Sequence, residues 1–296
     1  METQSVTAPG CSRVTFLNGR GDLPMLGITT PWSTAEIYLH GAHVAHFQKS
    51  GEPPLLFLSQ CSRFLPDAPI RGGIPIVFPW FGKPPGKPGQ HGFARLRDWE
   101  LRELTTEANG AVRVRLQMPE CNETPVCAAC GVEYLVTLGE TLTAVLSVTN
   151  ESGHPMTFEN CLHTYFAVGD IGAVTVKGLK GRTYLNQPTG FTRHTDTAEA
   201  LRVADEVDRC YLDTRDTVEI HDAAWHRLIR VEKEGSLSTV VWNPWIAKAK
   251  AMPDFGDEEY RTMLCVESGN VADNALTLAP GACASLKVKF SSAAAE

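Results

Sequence analysis

No apolar stretch of this chain approaches the roughly 18 residues needed to cross a bilayer, and METQSVTAPGCSR at its start lacks the apolar segment of a secretion signal. Neither export nor membrane insertion is expected, and the cytosol is the expected compartment. An excess of basic residues is also missing: 27 Lys+Arg stand against 34 Asp+Glu, for a net charge of −7. That balance argues against nucleic acid or an anionic membrane as partner, and it means that an anionic small molecule would need a local basic pocket. A disulfide framework is absent too, since the nine cysteines are odd in number and scattered over 296 residues, a usage that fits reduced thiols. Cys121, Cys127 and Cys130 crowd into MPECNETPVCAAC, but no second C-x-x-C or His pair completes a tetrahedral zinc set. They read as loop cysteines of a hairpin, and no metal site is expected. Internal repeats, low-complexity tracts and linker-like charge blocks are lacking as well.

What is present is a core-forming composition, 43% hydrophobic and 21% charged, written mostly in a period of two. In AVRVRLQM, Val112, Val114 and Leu116 alternate with Arg113, Arg115 and Gln117, the pattern of a half-exposed strand. VEYLVTLGETLTAVLSVTNES reads as two strands joined at Gly139 and Glu140. Short runs of the same kind fill VTFLNGRGDLPML, AEIYLHGAHVAHF, TVEIHD and STVVWNPW. His40, His43 and His46 fit surface or edge-strand positions, Glu199 to Val207 is a candidate for a helical turn or two, and AKAKAMPDFGDEEY is expected as a loop. The fold expected is all-β, one large antiparallel sandwich spanning residues 1–296 as a single domain.

Three stretches carry candidate chemistry. RGGIPIVFPWFGKPPGKPGQHGFARLRDWEL, residues 71–101, cannot be helical, because glycine and proline interrupt it repeatedly. If its returning piece is extended, His91, Phe93 and Arg95 share one face, aiming an imidazole and a guanidinium the same way. In HPMTFENCLHTYFAVG, His163 lies among apolar residues, and Glu267 ends MLCVE, a run apolar on both faces and so expected to be buried. A buried carboxylate needs a hydrogen-bonding or proton-transfer role. If His163 and Glu267 enter one pocket they form a general acid/base pair. A noncatalytic carbohydrate-binding sandwich, with Trp80, Trp242 and Trp245 stacking on sugar faces, is the alternative. A glycosidase using two of Glu159, Asp208 and Glu267 is a third reading.

RGGIPIVFPWFG, QHGFAR, ENCLHTYFAVGDI, EVDRCYLD, VVWNPW and MLCVESGNV together resemble the hexose-6-phosphate mutarotases (glucose-6-phosphate 1-epimerases) of the aldose 1-epimerase superfamily. The motifs run in order over nearly the whole chain. The resemblance implies a galactose-mutarotase-like supersandwich, no cofactor, and exchange of the α and β anomers of a hexose 6-phosphate; a monomer is expected. It implies His163 and Glu267 as catalytic residues and Arg71, Gln90, Arg95 and Asp208 as substrate-binding ones, with His91 beside the sugar. Arg71 and Arg95 would then supply the forked contacts that a phosphate prefers, while Lys83 and Lys87 are expected to be solvated loop charges. The segment 121–130 matches no site of that family.

Overall fold

The computed structural model describes residues 5–7, 12–120, 124 and 126–295. Alternation becomes strand as expected: in Cys130–Leu138 and Leu142–Asn150 every second side chain from Val132 onward is buried. The two pair antiparallel around the Gly139 turn, and the second pairs onward with Cys283–Ala294. They lie inside a nine-stranded sheet that runs from Leu201–Arg202 at one edge to Glu100–Thr106 at the other. An eight-stranded sheet runs from Thr192–Thr195 through Val207–Tyr211, Ser238–Asn243 and Met263–Asn270 to Ile76–Val77, with Tyr165–Ala167 pairing onto Met263–Asn270 off that path. A five-stranded sheet from Ser5–Thr7 to His43–Lys49 completes the main layers.

The two larger sheets share one hydrophobic cluster, in which Leu264, Val266 and Val241 meet Leu146, Val288 and Leu286. Phe166 packs edge-on against Phe290 with ring centroids 5.3 Å apart. Each such side chain contributes about 1.5–3 kcal/mol by leaving water, so the eight-stranded sheet is anchored through one face. Its other face is released for a different purpose. Met263–Asn270 is buried at every position because Leu264 and Val266 face the shared core, whereas Cys265 packs in a second cluster with Tyr165 and Trp242.

Four local expectations are corrected by this architecture. His91 to Arg95 is not extended: His91 (φ 62°) and Gly92 (φ 68°) are left-handed, and Ala94–Leu96 forms a 3-10 turn. Any Cβ on Gly92 would lie 1.9 Å from the Phe78 carbonyl oxygen, so this close approach requires glycine. Glu199 to Val207 holds no helix; Leu201 and Val203 are buried around exposed Arg202, a strand pattern that pairs with Val174–Lys177. An α-helix lies instead at Trp245–Ala251, entered at Pro244, where a fixed φ and the Ala/Lys content favour helix over the expected loop. His43 and His46 stand on the edge strand His43–Lys49 of the five-stranded sheet, as expected, but His43 is buried, and so is His40, which bridges the Ala68 carbonyl (2.9 Å) and Asp98 (3.2 Å). His43 is so desolvated that its pKa falls to about 3.

Of the cysteine-rich segment, Cys121 lies outside the described residues. Cys127 opens a 3-10 turn and Cys130 begins a strand.

Candidate active site

On the outer face of the eight-stranded sheet lies a cleft with a cavity volume of about 180 Å³. Arg71, Gln90, His91, Arg95, His163, Asp208 and Glu267, drawn from segments far apart in the chain, all line it. Sequence reasoning did not assign Phe81, Tyr165, Gln187, Lys248 or Met252 to this wall, although they line it too. Trp242, foreseen only as a stacking residue, is also there.

Backbone pairing explains how His163 meets Glu267. Two short strands, Asn160–Leu162 and Tyr165–Ala167, both pair with Met263–Asn270, in registers Leu162↔Ser268 and Tyr165↔Cys265. His163 and Thr164 form the break between them. There the His163 amide donates to the Pro75 carbonyl and the Thr164 carbonyl accepts from the Val266 amide. On the other side Val240 is opposite Glu267. The break therefore aims the imidazole at the carboxylate, with Nδ1 3.2 Å from Glu267 Oε1. That distance is short, yet Nδ1 has no partner in hydrogen-bond alignment. Approach without alignment leaves the nitrogen poised beside the carboxylate.

The imidazole is fixed by aromatic rings. Tyr165 stacks on it at 4.8 Å and 8°, and Trp242 and His91 meet it edge-on at 6.1 and 5.5 Å. Burial, with His91, Arg95 and Arg71 nearby, drives the His163 pKa well below its ordinary value. Burial, reinforced by the charge of Asp208, drives Glu267 well above its own. The Cys161 thiol donates to Glu267 Oε2 at 3.5 Å. The pair thus favours carboxylic acid facing neutral imidazole, with one proton between them.

His91 is held in one tautomer. The Gly82 amide donates to Nδ1 at 3.2 Å, so Nε2 carries the hydrogen, and Nε2 lies 3.0 Å from the Gln90 side-chain amide nitrogen.

The two arginines differ sharply. Arg71 is already engaged: Nε and Nη2 grip Asp254 at 3.0–3.3 Å, and Nη1 donates to the Tyr165 hydroxyl at 3.0 Å. Arg95 has no carboxylate within ion-pair distance among the described residues. Its Nη2 donates to the Gln90 carbonyl at 2.8 Å, while its buried Nε lacks any partner. Desolvation and the repulsion of Arg71 lower the Arg95 pKa to about 10. An unneutralised, partly unbonded guanidinium at a cavity wall is an anion site in waiting.

Asp208, on Val207–Tyr211 opposite Trp242, is buried, and desolvation raises its pKa to about 6 against the opposing pull of Lys248. Lys248 Nζ lies 3.6 Å from Asp208 and 2.8 Å from Glu206. Glu159, proposed for the glycosidase reading, lies outside the cavity lining; it accepts the Phe81 and Ala272 amides and shapes loops.

The aldose 1-epimerase family profile matches residues 25–291, and the chain belongs to that family. It is 40% identical over 257 residues to a protein of Cenchrus ciliaris provisionally named glucose-6-phosphate 1-epimerase, covering 83% of this chain and 78% of that one. A crystal structure from Salmonella typhimurium, provisionally named a mutarotase, superposes with a TM-score of 0.87 at 27% identity over 99% of this chain and 97% of the other. A galactose mutarotase-like protein of Clostridium acetobutylicum shares the fold, with a TM-score of 0.73 at 16% identity over 95% and 98% of the two chains. The fold is the galactose mutarotase-like antiparallel β-sandwich.

Proposed function

We propose that this protein interconverts the α and β anomers of a hexose 6-phosphate, D-glucose 6-phosphate foremost, by acid/base-catalysed ring opening and closure. The observation that carries the reading is the His163–Glu267 pair, 3.2 Å apart and buried in a cavity that also holds the unneutralised Arg95. Ring opening needs one base at the C1 hydroxyl and one acid at the ring oxygen. Shifting the pair's single proton from Glu267 to His163 produces both without changing the net charge of the site.

Glu267 carboxylate then takes the C1 hydroxyl proton while His163 delivers its proton to the ring oxygen. The bond between C1 and the ring oxygen breaks and the C1 carbonyl forms. Rotation about C1–C2 presents the opposite carbonyl face, and the residues reverse roles to close the ring. The protein ends in the protonation state in which it began. Asp208 and Gln90 bind sugar hydroxyls, His91 borders the ring, and Arg95 with the remaining donors of Arg71 binds the phosphate.

Trp242 within the cavity also suits simple sugar binding. An assay separates the readings: pure α-glucose 6-phosphate is mixed with the protein and anomer exchange is followed, with the spontaneous rate subtracted. Acceleration proportional to protein is expected, and binding without acceleration would leave the carbohydrate-binding reading in its place.

The same reading takes residues 1–296 as one catalytic unit acting as a cytosolic monomer. The buried cysteines Cys161 and Cys265 support it as thiols suited to reducing surroundings. Light scattering should return the mass of one chain; a dimer mass would overturn the monomer.

A further inference from the structure

We infer that His163, Cys265 and Glu267 form a binding site for a soft divalent cation of the zinc class, and that such a cation inhibits the enzyme by occupying the acid/base pair. The inhibition half rests on the function proposed above; the binding half does not.

The three side chains offer one nitrogen, one sulfur and one carboxylate oxygen, all within 4.8 Å of one another and all buried. Nitrogen, sulfur and oxygen donors are the ligand types of zinc sites, and three protein ligands with one open position is a recurrent arrangement. Cys265 and Glu267 sit two residues apart on Met263–Asn270, hence on one face of the strand. His163 faces them from the break between Asn160–Leu162 and Tyr165–Ala167, the second of which pairs directly at Cys265. The backbone thus brings all three residues together before any ion arrives.

Two details point to a ligand at this place. His163 is 93% buried, with 7% exposure, and its Nδ1 is unpartnered although it lies 3.2 Å from the Glu267 carboxylate. Moreover, their 3.2 Å separation is close to the roughly 3.3 Å that two ligands keep when both lie about 2.0–2.1 Å from a tetrahedral ion. Cys265 Sγ, within 4.8 Å of the other two donors, completes the set once an ion draws it in. A thiolate and a carboxylate balance a divalent charge, which matters in a buried place. Arg71 is already neutralised by Asp254, leaving Arg95 as the nearby opposing charge. A thiol is what makes the site selective: magnesium and calcium prefer oxygen ligands, whereas zinc and its analogues accept sulfur.

Cobalt(II) titrated into the full chain reads binding directly, because a thiolate ligand gives a near-ultraviolet charge-transfer absorption. The expected result is a band saturating at one cobalt per chain. It should be lost in Cys265→Ser and His163→Ala and retained in the Cys127→Ser/Cys130→Ser double variant. Cys265→Ala serves in place of Cys265→Ser if the latter does not fold, which circular dichroism will show. In parallel, zinc should inhibit wild-type anomer exchange reversibly with EDTA. In the Cys265 variant, measured against its own uninhibited rate, the half-inhibitory concentration should rise at least tenfold, while magnesium leaves both proteins unaffected. A band that survives in the Cys265 variant, or disappears only with Cys127 and Cys130, would overturn the assignment. So would equal zinc sensitivity of wild type and Cys265 variant. If wild type catalyses no exchange at all, the proposed function fails while the cobalt band still decides the site.

Discussion

Replacing Arg95 by methionine should weaken catalysis on the phosphate ester while making the protein more stable, and replacing Arg71 by alanine should do the reverse to stability. Arg95 bears a desolvated charge with no carboxylate partner within ion-pair distance among the described residues, and its pKa is lowered from the ordinary guanidinium value to about 10. Between those values the unfolded chain binds more protons than the folded one, so folding becomes less costly as pH rises through that window. At neutral pH both states are charged and the folded state carries the whole penalty, at most about 3 kcal/mol at 1.36 kcal/mol per pH unit. Methionine removes that penalty and keeps much of the packing. Each charge-assisted bond to phosphate contributes about 1.5–3 kcal/mol, so losing one lowers kcat/KM for glucose 6-phosphate by about 10- to 100-fold. Free glucose makes no such bond and should change by no more than about threefold. Arg71→Ala instead strands Asp254, 8% exposed, a loss of about 3 kcal/mol for a pair of this kind. It also frees Tyr165, the ring stacked on His163, so both substrates should suffer. Two readouts suffice: kcat/KM for both sugars, and denaturant midpoints at pH 7. Equal proportional losses on the two sugars with Arg95→Met, or a less stable protein, would refute the assignment of Arg95 as the uncompensated phosphate ligand.

Other outcomes follow from the same site. His163→Ala and Glu267→Gln should each lower catalysed exchange by about 10²–10⁴, the usual contribution of general acid/base groups; near wild-type exchange in a folded variant would remove that residue from the mechanism. Asp208→Asn should stabilise the protein at pH 8 by up to about 3 kcal/mol. The reason is that the folded carboxyl titrates near 6 instead of 3.8, so stability is full below 3.8 and lost as pH rises through 6. Chemical denaturation at pH 8 and pH 3.5 should show that advantage at the higher pH alone. The acid limb of kcat/KM on free glucose should lie near pH 6 and disappear in the same variant. Exhaustive EDTA should leave exchange intact, since ring opening here needs proton transfer alone; loss restored by stoichiometric zinc would contradict this.

The alternation that announced the sandwich was legible because one face of most strands meets water. Val112, Val114 and Leu116 are buried while Arg113 is exposed, as their period predicts. Glu267 was legible for the opposite reason, its strand being apolar on both faces. The juxtaposition of His91 with Arg95 was anticipated through the wrong geometry: left-handed residues and a 3-10 turn, not an extended strand, carry both into the cavity. Asp254 had no local signal, since its partner Arg71 is 183 residues away. Lys248 was hidden by the loop assignment, although Pro244 and the Ala/Lys run around it favour helix. His40 and His43 show the limit of short-range pattern: it cannot say which strand faces other layers will cover.

Met263–Asn270 has Leu264 and Val266 in the shared core, while Glu267 opens on the cavity and Cys265 packs beside it. A strand used on both faces has no tolerance for changes of length. Deleting one residue ahead of Glu267 would exchange every inward and outward side chain beyond the deletion, setting Ser268 where the carboxylate belongs and the carboxylate in Val266's place among aliphatic rows. The largely exposed residues 83–90 join the same cavity wall without such a constraint, because a Cβ at Gly86 or Gly89 would meet nothing within 4 Å. Insertions and deletions among descendants of this sequence should therefore accumulate in that loop and be absent from the strand, whatever sugar the cavity takes.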